Sequence, residues 1–194
     1  MDDKRIRIAV GITGSIHKID DTLNIISRLK ECHYEIKVFV SESIKQNKSI
    51  LNKIETMVGD SVIKTISKAE PFGPSDNFDL MLVAPLTGNS LSKLANAVTD
   101  NAVLMAAKGV MRNSKPIVLA ISTNDALGLN GNNLMKLLVT KNIFFVPFYQ
   151  DDPLKKPNSL IADYDRILDT ILYALKGKQL QPIILARSKD DGDI

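Results

Sequence analysis

A single cysteine in 194 residues, no tryptophan, two histidines and an aromatic content of 5% exclude several functions at the outset. Cys32 cannot form an internal disulfide, and no cysteine or histidine stands at metal-ligand spacing, so no metal is expected. A reducing cytoplasm fits. The net charge of +3 is spread along the chain and never gathers into a basic stripe. With few aromatics to stack on bases, nucleic-acid binding has no compositional support. No apolar run approaches the roughly 20 residues that cross a bilayer. Met1–Arg7 leads straight into a short apolar stretch that meets Gly11 and Gly14, unlike the long apolar core and cleavage site of a signal peptide. A soluble, intracellular protein with no membrane partner is the expectation.

The chain has 44% hydrophobic and 24% charged residues, enough for one well-buried core. One domain is expected over 1–194, with a frayed charged tail at 188–194. Ile6 to Ile12 is an apolar run broken by glycine, the pattern of a buried parallel strand. Ile16, Ile19, Leu23, Ile26 and Leu29 follow at helical spacing, and Glu35 to Val40 reads as the next strand. A helix is expected from about Ser43 to Met57, then a short strand near Val62 to Ile66 and a loop at Pro71 to Pro74. Strands at Leu80 to Ala84 and Pro116 to Ile121 enclose helices at about Leu86 to Val98 and Asn101 to Met111. A helix ending at Leu134 to Lys141 precedes a strand at Ile143 to Val146. After a polar loop from Tyr149 to Asn158, Leu160, Tyr164, Ile167, Ile171, Leu172 and Leu175 mark a last helix, with Gly177 suited to its C-terminal cap. The fold class is therefore α/β, a three-layer doubly wound parallel sheet of flavodoxin-like or Rossmann-like type.

In such sheets the ligand sits beyond the carboxyl ends of the strands. The first of these loops, Gly11-Ile-Thr-Gly-Ser15, has glycines for close backbone approach and the free amides of a helix start for a phosphate. It is neither G-x-G-x-x-G nor a Walker A loop. A tight turn with Thr13 or Ser15 as helix cap explains it equally. Three more strand ends carry similar side chains: Ser41 with Ser43, Thr87-Gly-Asn-Ser90, and Ser122-Thr-Asn124. Each alone could be a cap or a turn; together they put hydroxyls and amides on one rim, which suits a phosphate and a polyol such as ribityl. Ser41 stands where a dinucleotide site would need a ribose-binding acid, which points to a mononucleotide.

The run Ala84-Pro-Leu-Thr-Gly-Asn-Ser-Leu-Ser-Lys-Leu-Ala-Asn-Ala-Val-Thr-Asp-Asn101 resembles the A-P-x-[ST]-x-N-[ST]-x-x-K-x-A-x-G-x-x-D-N motif of the flavoprotein family, which holds homo-oligomeric cysteine decarboxylases and flavin prenyltransferases. Gly14-Ser-Ile16 is similar to that family's first loop. Other segments resemble the branch that forms dipicolinate: Ala69-Glu-Pro-Phe-Gly-Pro74, Ile121-Ser-Thr-Asn-Asp-Ala-Leu-Gly-Leu-Asn-Gly131, Thr140 to Pro147 and Gln150-Asp-Asp-Pro-Leu-Lys-Lys-Pro-Asn-Ser159.

The resemblance implies FMN held at a subunit interface by the first loop, Gly11, Thr13, Gly14, Ser15 and Ile16, and by Thr87, Gly88, Asn89 and Ser90, and the strand-end reading adds Ser41, Ser43, Ser122 and Thr123. It implies a trimer or a multiple of one, and the charge-poor stretch Leu86 to Met111, with only Lys93, Asp100 and Lys108, agrees. It further implies oxidation of a dihydro- or tetrahydrodipicolinate precursor with a separate A subunit carrying any NAD or NADP site, in the mother cell of a spore-forming bacterium. Asn124, Lys155 and Lys156 are the candidates for the dicarboxylate, although paired lysines in a polar loop are usually just solvated. No residue announces itself as a catalytic base. Where the decarboxylases carry P-x-M-N, this chain has Ser122-Thr-Asn-Asp125, and Glu42 to Lys48 lacks their histidine. A decarboxylase or prenyltransferase, or an assembly subunit without flavin, is the alternative. Of the remaining residues, His17 reads as a solvated first-turn residue, His33 as a favourable charge at a helix end, and Cys32 as a small buried apolar residue.

Overall fold

The structure is a computed structural model that describes residues 5–59, 62–73 and 78–186. The expected tail at 188–194 and Pro74 lie outside these residues. The strands are β1 (Arg7–Ile12), β2 (Glu35–Val40), β3 (Val62–Ile63), β4 (Leu80–Leu86), β5 (Ile117–Thr123), β6 (Ile143–Phe145), β7 (Phe148–Tyr149) and β8 (Leu160–Ala162). The helices are α1 (Ile19–Glu31), α2 (Glu42–Gln46), α3 (Lys48–Val58), α4 (Ile66–Ala69), α5 (Gly88–Ala95), α6 (Ala102–Arg112), α7 (Gly131–Leu138) and α8 (Ile167–Leu175).

Six strands pair in parallel in the order β3-β2-β1-β4-β5-β6. The chain winds outward from β1 to β3, crosses back, and winds outward again from β4. Strand order therefore reverses between β1 and β4, which opens a crevice at their carboxyl ends. Every residue of β4 is buried, and β1 is buried from Ile8 onward. Such unbroken apolar strands need helices on both faces. α1, α3 and α8 supply one cover; α6, with α4 and α5, supplies the other. The remaining strands form an antiparallel extension: β8 pairs with the end of β5, Ser122 opposite Ile161 and Thr123 opposite Leu160, and β7 pairs with β8.

Local chemistry explains where several boundaries depart from the sequence reading. The helix expected over 43–57 is split at Asn47, whose side chain accepts the Ile50 N–H at 3.2 Å and starts α3 afresh. β3 is only two residues long, and Ile66 opens α4 behind a Thr65 cap. Leu160 does not begin the last helix. It lies in β8, and a turn of 3-10 helix capped by Asp163 intervenes before α8. Gly177 does end that helix, with φ 69°. Ile16 is absent from the buried stripe of α1: it sits in a 3-10 turn over Ile16–Lys18 and is 60% exposed. Cys32, expected inside, is exposed at the C-terminal cap of α1. His33 follows it with φ 59°. Where the family motif has glycine, this chain carries Ala97 at φ 58°, a left-handed conformation that costs a non-glycine residue about 1–2 kcal/mol.

The charge-poor helix α6 is largely covered by its own sheet, with Val103, Leu104, Ala106, Ala107 and Val110 all buried. That accounts for most of the apolar surface that the sequence reading assigned to a neighbouring subunit. What stays open is a groove of about 460 Å³ bordered by Leu94, Val98, Leu104 and Met111. Among the described residues, no helix is long and apolar enough to cross a membrane.

Candidate functional site

The loops after β1, β2, β4 and β5 converge at the crevice. Pro85, which has no N–H, coincides with a shift of register between Val83 and Leu86. Its carbonyl accepts the Thr13 hydroxyl at 2.7 Å, and the Thr13 oxygen accepts the Thr87 N–H at 3.0 Å. Thr13 is 1% exposed, so it ties the ends of β1 and β4 together across the point of reversal. The Thr87 hydroxyl in turn donates to Ser90 at 3.3 Å.

Ser15 and Ser122, 107 positions apart, bring their hydroxyl oxygens within 3.1 Å. Ser41 and Ser43 pair at 3.0 Å. A Cβ on Gly14 would lie 2.6 Å from the Ser43 Oγ, and one on Gly88 would lie 2.5 Å from the Thr123 Oγ1. Both positions leave space only for hydrogen. Gly11 answers a different need: a Cβ there would meet Val103 at 2.7 Å and Met81 at 2.9 Å, so this glycine lets α6 lie down on β1.

Sequence alone could not separate helix caps from ligand groups at these loops. The structure shows which of them cap. Ser15, Ser41 and Thr87 all occupy the position before a helix, and none of them makes a side-chain cap. Asn47, Thr65, Asn101 and Asp163 each accept a backbone N–H from the helix they precede, whereas Asn130 before α7 does not. The three helix starts with an uncapped serine or threonine follow β1, β2 and β4, on the loops that meet at the crevice.

A cleft of about 300 Å³ opens there. The first loop lends it Ser15, His17 and Lys18; Thr87 and Gly88 stand at the start of α5; Ser122, Thr123 and Asn124 follow the end of β5. Asp151, Lys156, Ser159, Leu160 and Ile161 close the remaining side. Gly11, Thr13, Gly14, Ile16, Ser41, Ser43, Asn89 and Ser90, expected at the site, do not line this cleft. Lys155 is not on the wall: its side chain is exposed, and its N–H donates to the Asp152 carboxylate at 3.0 Å. The two lysines treated together in the sequence reading thus occupy different surroundings.

His17, Lys18, Asp151, Ser159, Leu160 and Ile161 enter the lining without having been selected from sequence. The last four are carried there by the β7–β8 pairing, which has no local signature. Lys18 is held by Asp21, 2.8 Å from its Nζ, and lies 5.1 Å over the ring of Tyr164. Burial opposes ionisation of Asp151, but the Ser159 hydroxyl, its own backbone N–H and the Lys156 ammonium outweigh this and hold its pKa below the ordinary carboxylate value. Lys156 Nζ stands 3.5 Å from its Oδ2, while Oδ1 is shut away from solvent. Behind the cleft, Asp125 accepts the Leu129 N–H at 3.1 Å and the Asn130 amide at 3.0 Å. Asn133 links that amide to Asn96, which fastens α7 to α5.

The sequence matches the flavoprotein family over residues 1–175. It is 50% identical over 186 residues to the B subunit of dipicolinate synthase from Bacillus subtilis (strain 168), covering 92% of this chain and 93% of that protein. The crystal structure of the corresponding dipicolinate synthase B subunit from Bacillus halodurans C superimposes with a TM-score of 0.87 at 44% identity, over 94% of this chain and 97% of the other. The same fold recurs in AnUbiX (PadA1), solved with FMN and dimethylallyl pyrophosphate, at a TM-score of 0.64 and 17% identity over 95% and 98% of the two chains. The crevice, its hydroxyl loops and these likenesses agree, and the chain belongs to the flavoprotein family.

Proposed function

We propose that this chain is the FMN-binding B subunit of a dipicolinate synthase, which works with an A subunit to oxidise a dihydro- or tetrahydrodipicolinate precursor to dipicolinate. The observation that carries the reading is the cluster of uncapped helix starts at Ser15, Ser41 and Thr87, in a chain half identical to a dipicolinate synthase B subunit over nearly its whole length.

The residues fit an FMN. Gly14 and Gly88 are cradles that a single Cβ would fill. Free helix-start amides and neutral hydroxyls suit a phosphate and a ribityl chain, because they donate hydrogen bonds without needing a counter-charge. Gly14, Ser15, Ser41 and Ser43 would hold the phosphate. Thr87, Gly88, Ser122 and Thr123 would follow the ribityl towards the ring, with the apolar faces of Leu160 and Ile161 beside it. A bound flavin supplies a two-electron acceptor, while the protein supplies placement and electrostatics. Asn124 and Lys156 face the same cleft and would meet the carboxylates of the substrate. The nicotinamide site belongs to the A subunit in this reading, and the chain assembles with copies of itself in the cytoplasm of a sporulating mother cell.

The test is purification of the full-length chain followed by absorbance in the flavin region, and then dipicolinate formation with and without the A subunit. Yellow protein that forms dipicolinate only with its partner is the expected result. Colourless protein that takes up no added FMN would refute the reading and leave an assembly subunit.

A further inference from the structure

Behind the cleft four side chains join end to end. The Asn96 amide nitrogen donates to Asn133 Oδ1 at 3.0 Å, the Asn133 nitrogen to Asn130 Oδ1 at 2.9 Å, and the Asn130 nitrogen to Asp125 Oδ2 at 3.0 Å. Every link points towards Asp125. An amide offers an oxygen on one side and a nitrogen on the other, so its partners decide how it is turned. Here both ends of the run present acceptors only: the Asn96 nitrogen also donates to the Ser92 carbonyl at 2.8 Å, and a carboxylate takes hydrogens without giving any. The second carboxylate oxygen, Asp125 Oδ1, accepts the Leu129 N–H at 3.1 Å, and a Cβ on Gly128 would collide with it.

We infer that Asp125 is a positioning residue for the ligand: its carboxylate sets the direction of this amide run and so holds two walls of the cleft, the loop after β5 and the start of α5, at a fixed separation. The inference rests on the FMN reading proposed above. Thr123 and Gly88 line the cleft, whereas Asp125 and Asn130 stand behind it. Asp125 reaches both walls. Its N–H donates to the Thr123 hydroxyl oxygen at 3.3 Å. The amide nitrogen that it holds, Asn130 Nδ2, lies 3.1 Å from where a Cβ of Gly88 would be, so Asn130 packs against the first residue of α5. Asn96, at the far end of the run, is the C-terminal cap of the same helix. One chain of hydrogen bonds thus fastens α5 at both ends to the loop that carries Thr123. An asparagine at position 125 cannot serve it. With its oxygen on the Leu129 N–H it turns its nitrogen to Asn130, which must reverse; Asn133 and Asn96 then reverse in turn, and Asn96 ends with its oxygen against the Ser92 carbonyl. With its oxygen on Asn130 instead, its nitrogen meets the Leu129 N–H. Either way a link is lost.

Exchanging the two groups tests the idea. In the double variant Asp125→Asn, Asn130→Asp every link forms again: the new amide accepts the Leu129 N–H and donates to the new carboxylate, which still accepts from Asn133. FMN is titrated into the full-length wild type, both single variants and the double variant, with flavin fluorescence as the signal. Tm and the visible circular dichroism of the bound flavin are recorded alongside. Asp125→Asn should weaken FMN binding about tenfold, and Asn130→Asp, which sets two carboxylates face to face, should weaken it further. The double variant should return to within about threefold of the wild type, with the wild-type dichroism. A lower Tm with unchanged FMN affinity and dichroism in Asp125→Asn would show a brace for the fold only, and this inference alone would fall. A double variant that binds no tighter than the weaker single variant would overturn it as well, because the direction of the run would then not matter. Where a single variant fails to fold, the double variant against the wild type decides between the same two outcomes. If the wild type itself binds no FMN, the proposed function fails and takes the inference with it.

Discussion

Replacing Gly88 by alanine adds one methyl group at a point where the crevice has no room for it. The new carbon would lie 2.5 Å from the Thr123 Oγ1 and 3.1 Å from the Asn130 Nδ2. Neither neighbour moves freely. Thr123 accepts the Asp125 N–H at 3.3 Å, and the Asn130 amide is held by the Asp125 carboxylate. Overpacking of this kind costs about 1–3 kcal/mol. Displacing the Thr123 hydroxyl forfeits a further 0.5–1.5 kcal/mol or so. Restricting the unfolded chain returns about 0.4–1 kcal/mol, since Gly88 has no positive φ that alanine would resist. The net is a loss of about 2 kcal/mol, or a fall in Tm of about 4–8 °C for a chain of this size. Thr123→Ala makes room for the methyl, so the double variant should recover about 1–2 kcal/mol relative to the sum of the single changes. Denaturant unfolding of all four proteins measures that coupling, and FMN titration should show affinity dropping at least about tenfold in Gly88→Ala. Additivity within about 0.5 kcal/mol would refute the packing argument.

Gly14→Val should fold yet lose FMN, because its Cβ alone would stand 2.6 Å from the Ser43 Oγ; unchanged affinity in a flavin titration would remove this loop from the site. Lys156→Gln should raise the precursor KM roughly tenfold in an assay with the A subunit, whereas Lys155→Gln, off the cleft wall, should leave it unchanged; equal effects would contradict the placement. Burial pushes the Tyr164 phenol well above its ordinary range, with Asp21 adding to this and the Thr22 hydroxyl offsetting only part of it. The stability that goes with the neutral phenol is complete below about pH 10 and is lost as pH rises towards the raised folded value. Denaturant unfolding between pH 8 and 11 should therefore fall less steeply in Tyr164→Phe, and parallel curves would count against a buried phenol. Light scattering should find an oligomer at micromolar concentration. A stable monomer would show that the groove beside Val98 and Met111 needs no neighbour.

The strand and helix order was legible because each βαβ unit carries its own short-range periodicity. A run such as Leu80–Leu86 is apolar throughout only if both faces are covered, and the stripe Ile19, Leu23, Ile26, Leu29 turns one face inward whatever it packs against. The four loops at the carboxyl end of the sheet followed from topology, since a parallel strand's carboxyl end is defined once its direction is known. Gly11 and Gly14 were legible as glycines that matter, but not as glycines that matter differently: one accommodates α6, the other the Ser43 hydroxyl.

Sequence by itself determined the α/β class, the order of the main strands and the family motif from Ala84 to Asn101, all of which depend on residues within about one element of each other. The tertiary structure alone decided which serines and threonines leave their helices uncapped, that Ser15 meets Ser122, that Lys156 lines the cleft while Lys155 does not, and that Asp151 lies on its wall. It also decided that Leu160 pairs with Thr123 instead of opening a helix, and that Cys32 faces out. The physical reason is common to these cases. Hydrophobic periodicity is a property of neighbours along the chain, whereas a hydrogen-bond partner or a cleft wall is supplied by residues tens of positions away, whose arrival is fixed by packing.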